Sequence, residues 1–316
     1  MPALSASAPG KTILFGEHAV DYGYPAIAFP LPDICLKVII QALPGQKQSR
    51  IINQDLGEDY LLTDNPDDVY LAALKTIQSS LQLNHLPAMQ LTFSSTIPPA
   101  AGLGSSAAFA VALTKAVSTF LGFHLSLEKI NEIAFEIEKH QHGTPSGIDN
   151  SVICYKTPVF FRKNFPVEFI QLQKPMNLIL ANSGIPSSTK ESVSQVRQMK
   201  ESNPIKSNEI FERIGSITEK AKGLMVSGDL VSVGSLMTQN HELLKKLDIS
   251  IKELDILVET AINSGAFGAK LCGSGKGGNL VALVPAEKTQ RIKEALMNAG
   301  AVSCLASAIY PTESSE

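Results

Sequence analysis

Apolar positions along the chain recur in two periods, and the change from one to the other marks out its elements. Val69, Leu71, Ala72, Leu74, Ile77 and Leu81 stand close to helical spacing, which predicts a helix over 67–83 with Asp67 as its cap. Met89, Leu91 and Phe93 then alternate with Gln90, Thr92 and Ser94, the pattern of a half-buried strand. Residues 34–42 form a further β-rich run, whereas 56–66 is polar and predicts a loop. Ser126 opens a helix that runs to His142 and sets Ile130, Ile133, Ala134 and Ile137 on one face. After a passage over 160–175 comes an apolar strand at 176–181. Helices follow over 188–199, 205–226, 230–247 and 251–263, punctuated by Pro204, Gly228 and Asp248. Strands at 269–272 and 280–284, a helix over 286–299 and a strand at 302–309 complete an α+β chain.

The first residues read as two short extended pieces around Ala8-Pro9-Gly10-Lys11, where proline and glycine predict a turn and place Lys11 on a loop. Gly10-Lys11-Thr12 is not the end of a Walker A loop, because Ser5 stands where that motif needs glycine.

The strand at 89–93 leads into Pro98-Pro-Ala-Ala-Gly102-Leu103-Gly104-Ser105-Ser106-Ala-Ala108 and then into an alanine-rich helix. The first amides of a helix have no intrahelical acceptor and carry the positive end of its dipole, so a glycine-lined start suits an anion. Gly102 and Gly104 permit close approach to a ligand, and a hydroxyl of Ser105 or Ser106 can cap the helix or bind a metal. A capped core helix after a tight turn is the other reading. The order strand, glycine turn, helix favours the anion site.

Three acidic positions stand out. Glu17 and His18 fall in a turn-rich segment, Gly16 to Pro25, as ligand contacts or as solvated loop residues. Glu138 lies near a helix end, where a carboxylate invites a cationic partner unless it is a surface residue. Asp149 is delivered by a Gly-Thr-Pro-Ser-Gly turn into an apolar segment between Ile148 and Val152. His140 and His142 have no third ligand nearby and are read as structural.

At 316 residues the chain has room for two domains, and a formal charge of −3 without a basic block argues against nucleic acid or an anionic membrane as partner. Cys35, Cys154, Cys272 and Cys304 are scattered and read as buried small hydrophobes in a reducing compartment. With no apolar leader or membrane-length run, a cytoplasmic protein that binds a small molecule is expected.

Three segments in this order, Ala8-Pro-Gly-Lys-Thr-Ile-Leu-Phe-Gly-Glu-His18, Pro98 to Ala108, and Gly268-Ala-Lys-Leu-Cys-Gly-Ser-Gly-Lys-Gly-Gly278, resemble the GHMP kinase superfamily of galactokinase, homoserine kinase, mevalonate kinase and phosphomevalonate kinase. Gly16 to Ala26, His142 to Asn150 and Asn182 to Lys190 are most similar to the mevalonate kinase branch, and Val20 stands where galactokinases carry aspartate. The resemblance implies a two-domain fold, an N-terminal βαβ-type domain over 1–172 and a ferredoxin-like α+β domain over 173–316, with the active site between them. It implies transfer of the γ-phosphoryl group of ATP to the C5 hydroxyl of mevalonate. Asp149 is then the base and Lys11 its cationic neighbour, with Ser106 and Glu138 on Mg²⁺. Glu17, His18 and Thr189 lie around mevalonate, although Thr189 serves equally as a helix cap. Gly102, Leu103, Gly104, Ser105, Ser106, Gly273 and Gly275 lie around ATP. A homodimer is also implied. Asp21, Cys272, Lys276 and Asn279 depart from the family pattern.

Two alternatives remain at this stage. A kinase or decarboxylase acting on phosphorylated mevalonate needs more cations on the acceptor side than Lys190 supplies, and a non-catalytic sensor on the same fold would lose the base or the metal ligands.

Overall fold

The computed structural model of the protein describes residues 3–98, 101–142 and 145–311, with backbone alone at 141 and 142. Pro99 and Ala100 of the glycine turn, the His142 side chain, and Gly143 and Thr144 ahead of Asp149 lie outside the described residues. The chain divides into two compact units, one formed by 3–10, 34–98 and 104–156, the other by 11–33, 101–103 and 157–311.

Strands β1 (Leu4–Phe15) and β2 (Ala26–Ala42) each contribute residues to both units. β1 runs unbroken through Pro9 and Gly10, so Lys11 is a strand residue and not the loop residue expected from its neighbours. Proline holds φ near the extended region and removes a single ladder donor, which a strand whose pairing among the described residues is with β2 accommodates.

In the first unit β3 (Arg50–Asn53), β4 (Glu58–Leu61) and β5 (Met89–Ser95) join the second half of β2 in the order β4-β3-β5-β2. β5 is antiparallel to β2, Phe93 opposite Val38, and β3 is parallel to β5, Ile51 opposite Leu91. The β3–β4 hairpin replaces part of the loop expected at 56–66. Its exposed positions are mixed, the apolar Leu61 standing opposite Arg50 and Arg50 holding Asp59 at 2.7 Å, so no apolar alternation announces it. Helices α1 (Val69–Ser80), α2 (Ser105–Phe120), α3 (Leu127–His142) and α4 (Ile148–Tyr155) pack together beside these strands. Asp68, not Asp67, caps α1, accepting from Tyr70 N and Leu71 N at 2.9 and 3.0 Å. Helix α2 is buried on nearly every side because alanines and valines cover it, the composition of a core helix. Tyr70, Phe93 and Phe109 meet with ring centroids 4.9 to 5.6 Å apart and lock α1, β5 and α2 together.

In the second unit β6 (Val159–Phe161) pairs with β2 at Ala26–Ala28, and β7 (Glu168–Phe169) pairs with β6. A separate antiparallel sheet contains β8 (Met176–Asn182), β9 (Gly268–Cys272), β10 (Asn279–Val284) and β11 (Ser303–Ile309), in the order β11-β8-β10-β9. Helices α5 (Thr189–Ser202), α6 (Pro204–Ser227), α7 (Leu230–Lys246) and α8 (Lys252–Asn263) lie between β8 and β9 in sequence, and α9 (Thr289–Asn298) between β10 and β11. This is the ferredoxin-like arrangement with extra helices in the first crossover. Asn203 and Pro204 start α6, and Gly228 in the left-handed region ends it. The helix expected over 286–299 opens instead as a 3₁₀ turn at Ala286–Lys288.

Cys154 and Cys272 are buried as expected, but Cys35 and Cys304 are only half-buried because their strand faces are not fully covered; all four thiols are free. No helix among the described residues is long and apolar enough to cross a membrane.

Candidate active site

The glycine turn enters α2 through Gly104, which stands at φ 77° as the N-cap and, among the described residues, has no side-chain capping bond. The first helical bond runs from Ala108 N to Gly104 O at 2.9 Å. A helix start without a side-chain cap, reached through Gly102 at φ 71°, is the geometry an anion site uses. Gly102 and Ser105 are exposed there and Leu103 is buried.

At the second residue of α2, the Ser106 hydroxyl donates to Glu138 Oε1. Glu138 is 4% exposed and is not a surface glutamate. The donor set is one buried carboxylate and one hydroxyl, and no group of three or more His, Cys, Asp and Glu residues comes together among the described residues. That set fits a hard, oxygen-binding divalent cation whose other ligands are water and phosphate, and it does not fit zinc.

Asp149 is the second residue of α4, after Gly147 in the left-handed region at φ 87°. The helix dipole favours a carboxylate in this first turn. Asn150 Nδ2 donates to Asn131 Oδ1 at 2.8 Å and Ser151 Oγ to Gly147 O at 2.7 Å, so the turn bearing Asp149 is fastened to α3, the helix that carries Glu138. Ser106, Glu138 and Asp149 thus stand on three mutually packed helices of one unit.

The other expected residues belong to the second unit. Lys11 is 7% exposed, and its amide donates to Leu103 O at 2.9 Å. Asn279 Nδ2 donates to Ala101 O at 2.8 Å. Two backbone carbonyls of the glycine turn are therefore held, one by β1 and one by the first residue of β10.

Glu17 and His18 are buried, contrary to the solvated-loop alternative. Gly16, at φ 94°, lies so close to the chain that an added Cβ would sit 2.4 Å from Pro25 O. Tyr22 stacks on Phe211 at 4.5 Å and closes the following turn onto α6. Glu17 pairs with Lys270 Nζ, an interaction between side chains 1% and 0% exposed. His18 Nε2 lies 3.0 Å from Ser274 O; a carbonyl only accepts, so this nitrogen carries the proton. Burial holds the His18 pKa below its ordinary value, opposed by the Ser274 contact.

The late glycine loop takes φ 82° at Gly273 and 80° at Gly275, where an added Cβ would meet Ile249 O at 2.2 Å. Ser187 Oγ lies 2.9 Å from Ser274 Oγ, and Thr189 Oγ1 donates to Ser274 Oγ at 3.4 Å. Ser188, not Thr189, caps α5, accepting from Glu191 N at 3.3 Å. The capping alternative for Thr189 is therefore excluded, and its hydroxyl turns to the late loop. Thr12 Oγ1 donates to Cys272 Sγ at 3.2 Å, so the cysteine departing from the family pattern fills a small buried site.

Lys270, Ser187, Ser274 and Asn279 were not among the expected site residues. A lysine inside an otherwise apolar strand, Gly268-Ala-Lys-Leu-Cys272, is the signal that marks the first of them.

The sequence signature of the GHMP kinases N terminal domain matches residues 68–157, and that of the GHMP kinases C terminal domain matches 221–302. The mevalonate kinase of Pyrococcus horikoshii is 34% identical over 94% of this chain and 93% of its own length. That of Thermococcus onnurineus is 36% identical over 93% of both.

The chain belongs to the mevalonate kinase family.

As a member of this family of GHMP kinases it is an ATP-dependent kinase acting on a small molecule. Solved mevalonate kinases share its fold. The Methanococcus jannaschii enzyme superposes with a TM-score of 0.86 at 30% identity, covering 99% of each chain. The L. major enzyme in complex with R-mevalonate gives 0.86 at 28%, covering 98% of this chain and 96% of its own.

Proposed function

We propose that this mevalonate kinase family member transfers the γ-phosphoryl group of ATP to the C5 hydroxyl of mevalonate. The buried Glu138 carboxylate against the Ser106 hydroxyl, at the first turn of a helix capped only by a left-handed glycine, carries the reading. Phosphoryl transfer requires little covalent work from the protein; it requires alignment and neutralisation of charge. The amides at the start of α2, with Gly102 to Ser106, hold the ATP phosphates, and Gly273 and Gly275 line the nucleotide from the late loop. Ser106 and Glu138 are the protein ligands for Mg²⁺, which when bound offsets charge on the phosphate oxygens. Asp149 accepts the proton of the acceptor hydroxyl, and Lys11 supplies positive charge at the transferring group. Glu17, His18 and Thr189 orient mevalonate. In this reading residues 1–172 form the phosphate-binding and catalytic domain and 173–316 the second domain, in a cytoplasmic homodimer.

Formation of ADP with mevalonate, phosphomevalonate, galactose and homoserine, measured in parallel, tests the assignment. Turnover with mevalonate at least a hundredfold above the other three supports it; preference for phosphomevalonate moves the chain to the next kinase of the superfamily, and none at all to a non-catalytic role.

A further inference from the structure

Lys270 is a fully enclosed cation with no part in the chemistry above. We propose that it is a positioning residue for the acceptor pocket, its ammonium fixing the Glu17 carboxylate beside His18; this rests on the reading that Glu17 and His18 contact mevalonate.

The juxtaposition is specific. Consecutive residues 17 and 18 are both bound by one five-residue segment: Glu17 by the side chain of Lys270, and His18 by the carbonyl of Ser274. Lys270 Nζ also donates to Leu271 O at 2.7 Å, which limits the directions left to its charge. Both sides of the pair stand on stiff backbone. Gly16 admits no Cβ, so the chain entering Glu17 cannot shift outward. On the other side, β9 lies directly on α7, where a Cβ at Gly268 would sit 1.8 Å from Gly234 O. Leu271 N also donates to His241 Nδ1 at 3.2 Å, and His241 Nε2 lies 3.1 Å from Asp255 Oδ1. A side chain that must hold another in place is best carried on such a rigid element.

The pair also leaves one carboxylate oxygen unsatisfied. Glu17 Oε2 is buried and has no hydrogen-bond partner among the described residues. Burying a carboxylate with one oxygen unsatisfied is unfavourable, and a hydroxyl donor completes it. Lys270 engages Oε1 and thereby fixes the plane of the carboxylate and the place of Oε2 beside His18. His18, protonated on Nε2 by its bond to Ser274, keeps Nδ1 as an acceptor. Lys270 thereby sets the spacing of two hydrogen-bond acceptors, Glu17 Oε2 and His18 Nδ1, a pair of the kind that suits a polyol or hydroxy acid.

Steady-state kinetics of Lys270→Met, Glu17→Gln, the double variant and His18→Ala, each with its thermal melting profile, test this. Lys270→Met is expected to raise KM for mevalonate at least tenfold while KM for ATP stays within twofold. The double variant removes both charges, avoids leaving an unpaired buried carboxylate, and is expected to show a mevalonate KM no higher than Glu17→Gln alone, because Lys270 acts through Glu17. An unchanged mevalonate KM in Lys270→Met, equal increases in both KM values, or additive effects in the double variant would overturn the role. Failure of both Lys270→Met and the double variant to fold would also overturn it, assigning the lysine to stability alone. His18→Ala separates the two levels. An unchanged mevalonate KM there removes the acceptor pocket itself, whereas a raised KM there with none in Lys270→Met removes only the lysine.

Discussion

Asn279 donates through Nδ2 to the carbonyl oxygen of Ala101 at 2.8 Å, tying the start of β10 to the glycine turn. The asparagine does the work of a tether, together with the amide of Lys11 on Leu103 O. A net hydrogen bond is worth about 1 kcal/mol, which corresponds to roughly fivefold in a binding constant. Asn279→Ala is therefore expected to raise KM for ATP about fivefold and to leave KM for mevalonate within twofold. Initial rates at varied ATP check it, and an unchanged ATP KM dissociates the tether from nucleotide binding.

Ser106 and Glu138 are the proposed protein ligands for Mg²⁺. Glu138→Gln keeps the size of the side chain and removes its charge, so the Mg²⁺ concentration for half-maximal rate is expected to rise about tenfold or more, with a smaller rise for Ser106→Ala. A magnesium titration of the rate at saturating ATP decides it. A superimposable titration for Glu138→Gln assigns that carboxylate to packing.

Much of the architecture is legible in the sequence, and the parts that are not share a physical cause. The helices of the second unit announce themselves because Pro204 and Gly228 punctuate them and their apolar faces are regular. Strand β1 does not, because Pro9-Gly10 reads locally as a turn while the pairing with β2 decides otherwise. The polar β3–β4 hairpin gives no alternation to read. At the site, the glycine turn, Asp149 and Glu138 are visible as motifs, but the burial of Glu138 is not. Glu17 reads equally as a ligand contact or a solvated loop residue until its cation is known, and that cation is 253 residues away in the chain. A separation of 178 residues likewise hides Asn279 from Ala101. Local signals identify Ser187, Ser188 and Thr189 as hydroxyls near a helix start; only the fold shows which one caps it and which turn toward Ser274.

His241 gives the fold an acid-sensitive point. Burial, partly offset by Asp255 and reinforced by Lys270, pushes its pKa down to about 4 from the ordinary 6.5. The unfolded chain thus takes up a proton over that interval and the folded protein does not. The contribution to stability is full above pH 6.5 and is lost as pH falls toward 4, with a span of roughly 3 kcal/mol. Denaturant unfolding at pH 7, 5.5 and 4.5 is expected to show a shallower acid loss for His241→Gln than for the unsubstituted protein. Parallel curves would contradict it.

Gly16→Ala tests the backbone under Glu17. The new methyl would stand 2.4 Å from Pro25 O on a residue at φ 94°, combining steric overlap with left-handed strain. A loss of about 2–4 kcal/mol is expected, read as a lower denaturant midpoint, and with it a raised mevalonate KM. A variant of unchanged midpoint would show that the turn yields.

The central claim is that Asp149 and its surroundings move a phosphoryl group onto the C5 hydroxyl of mevalonate. Phosphorus NMR of reactions with ATP, Mg²⁺ and mevalonate tests it most directly, run with the unsubstituted protein and with Asp149→Asn after ATP binding by both has been measured. The expected result is a phosphomonoester at C5 with the unsubstituted protein, and a rate lower by about a thousandfold in Asp149→Asn, within the range for loss of a general base, at an ATP affinity within twofold. A near-normal rate in Asp149→Asn, or no C5 monoester from the unsubstituted protein, would contradict the account.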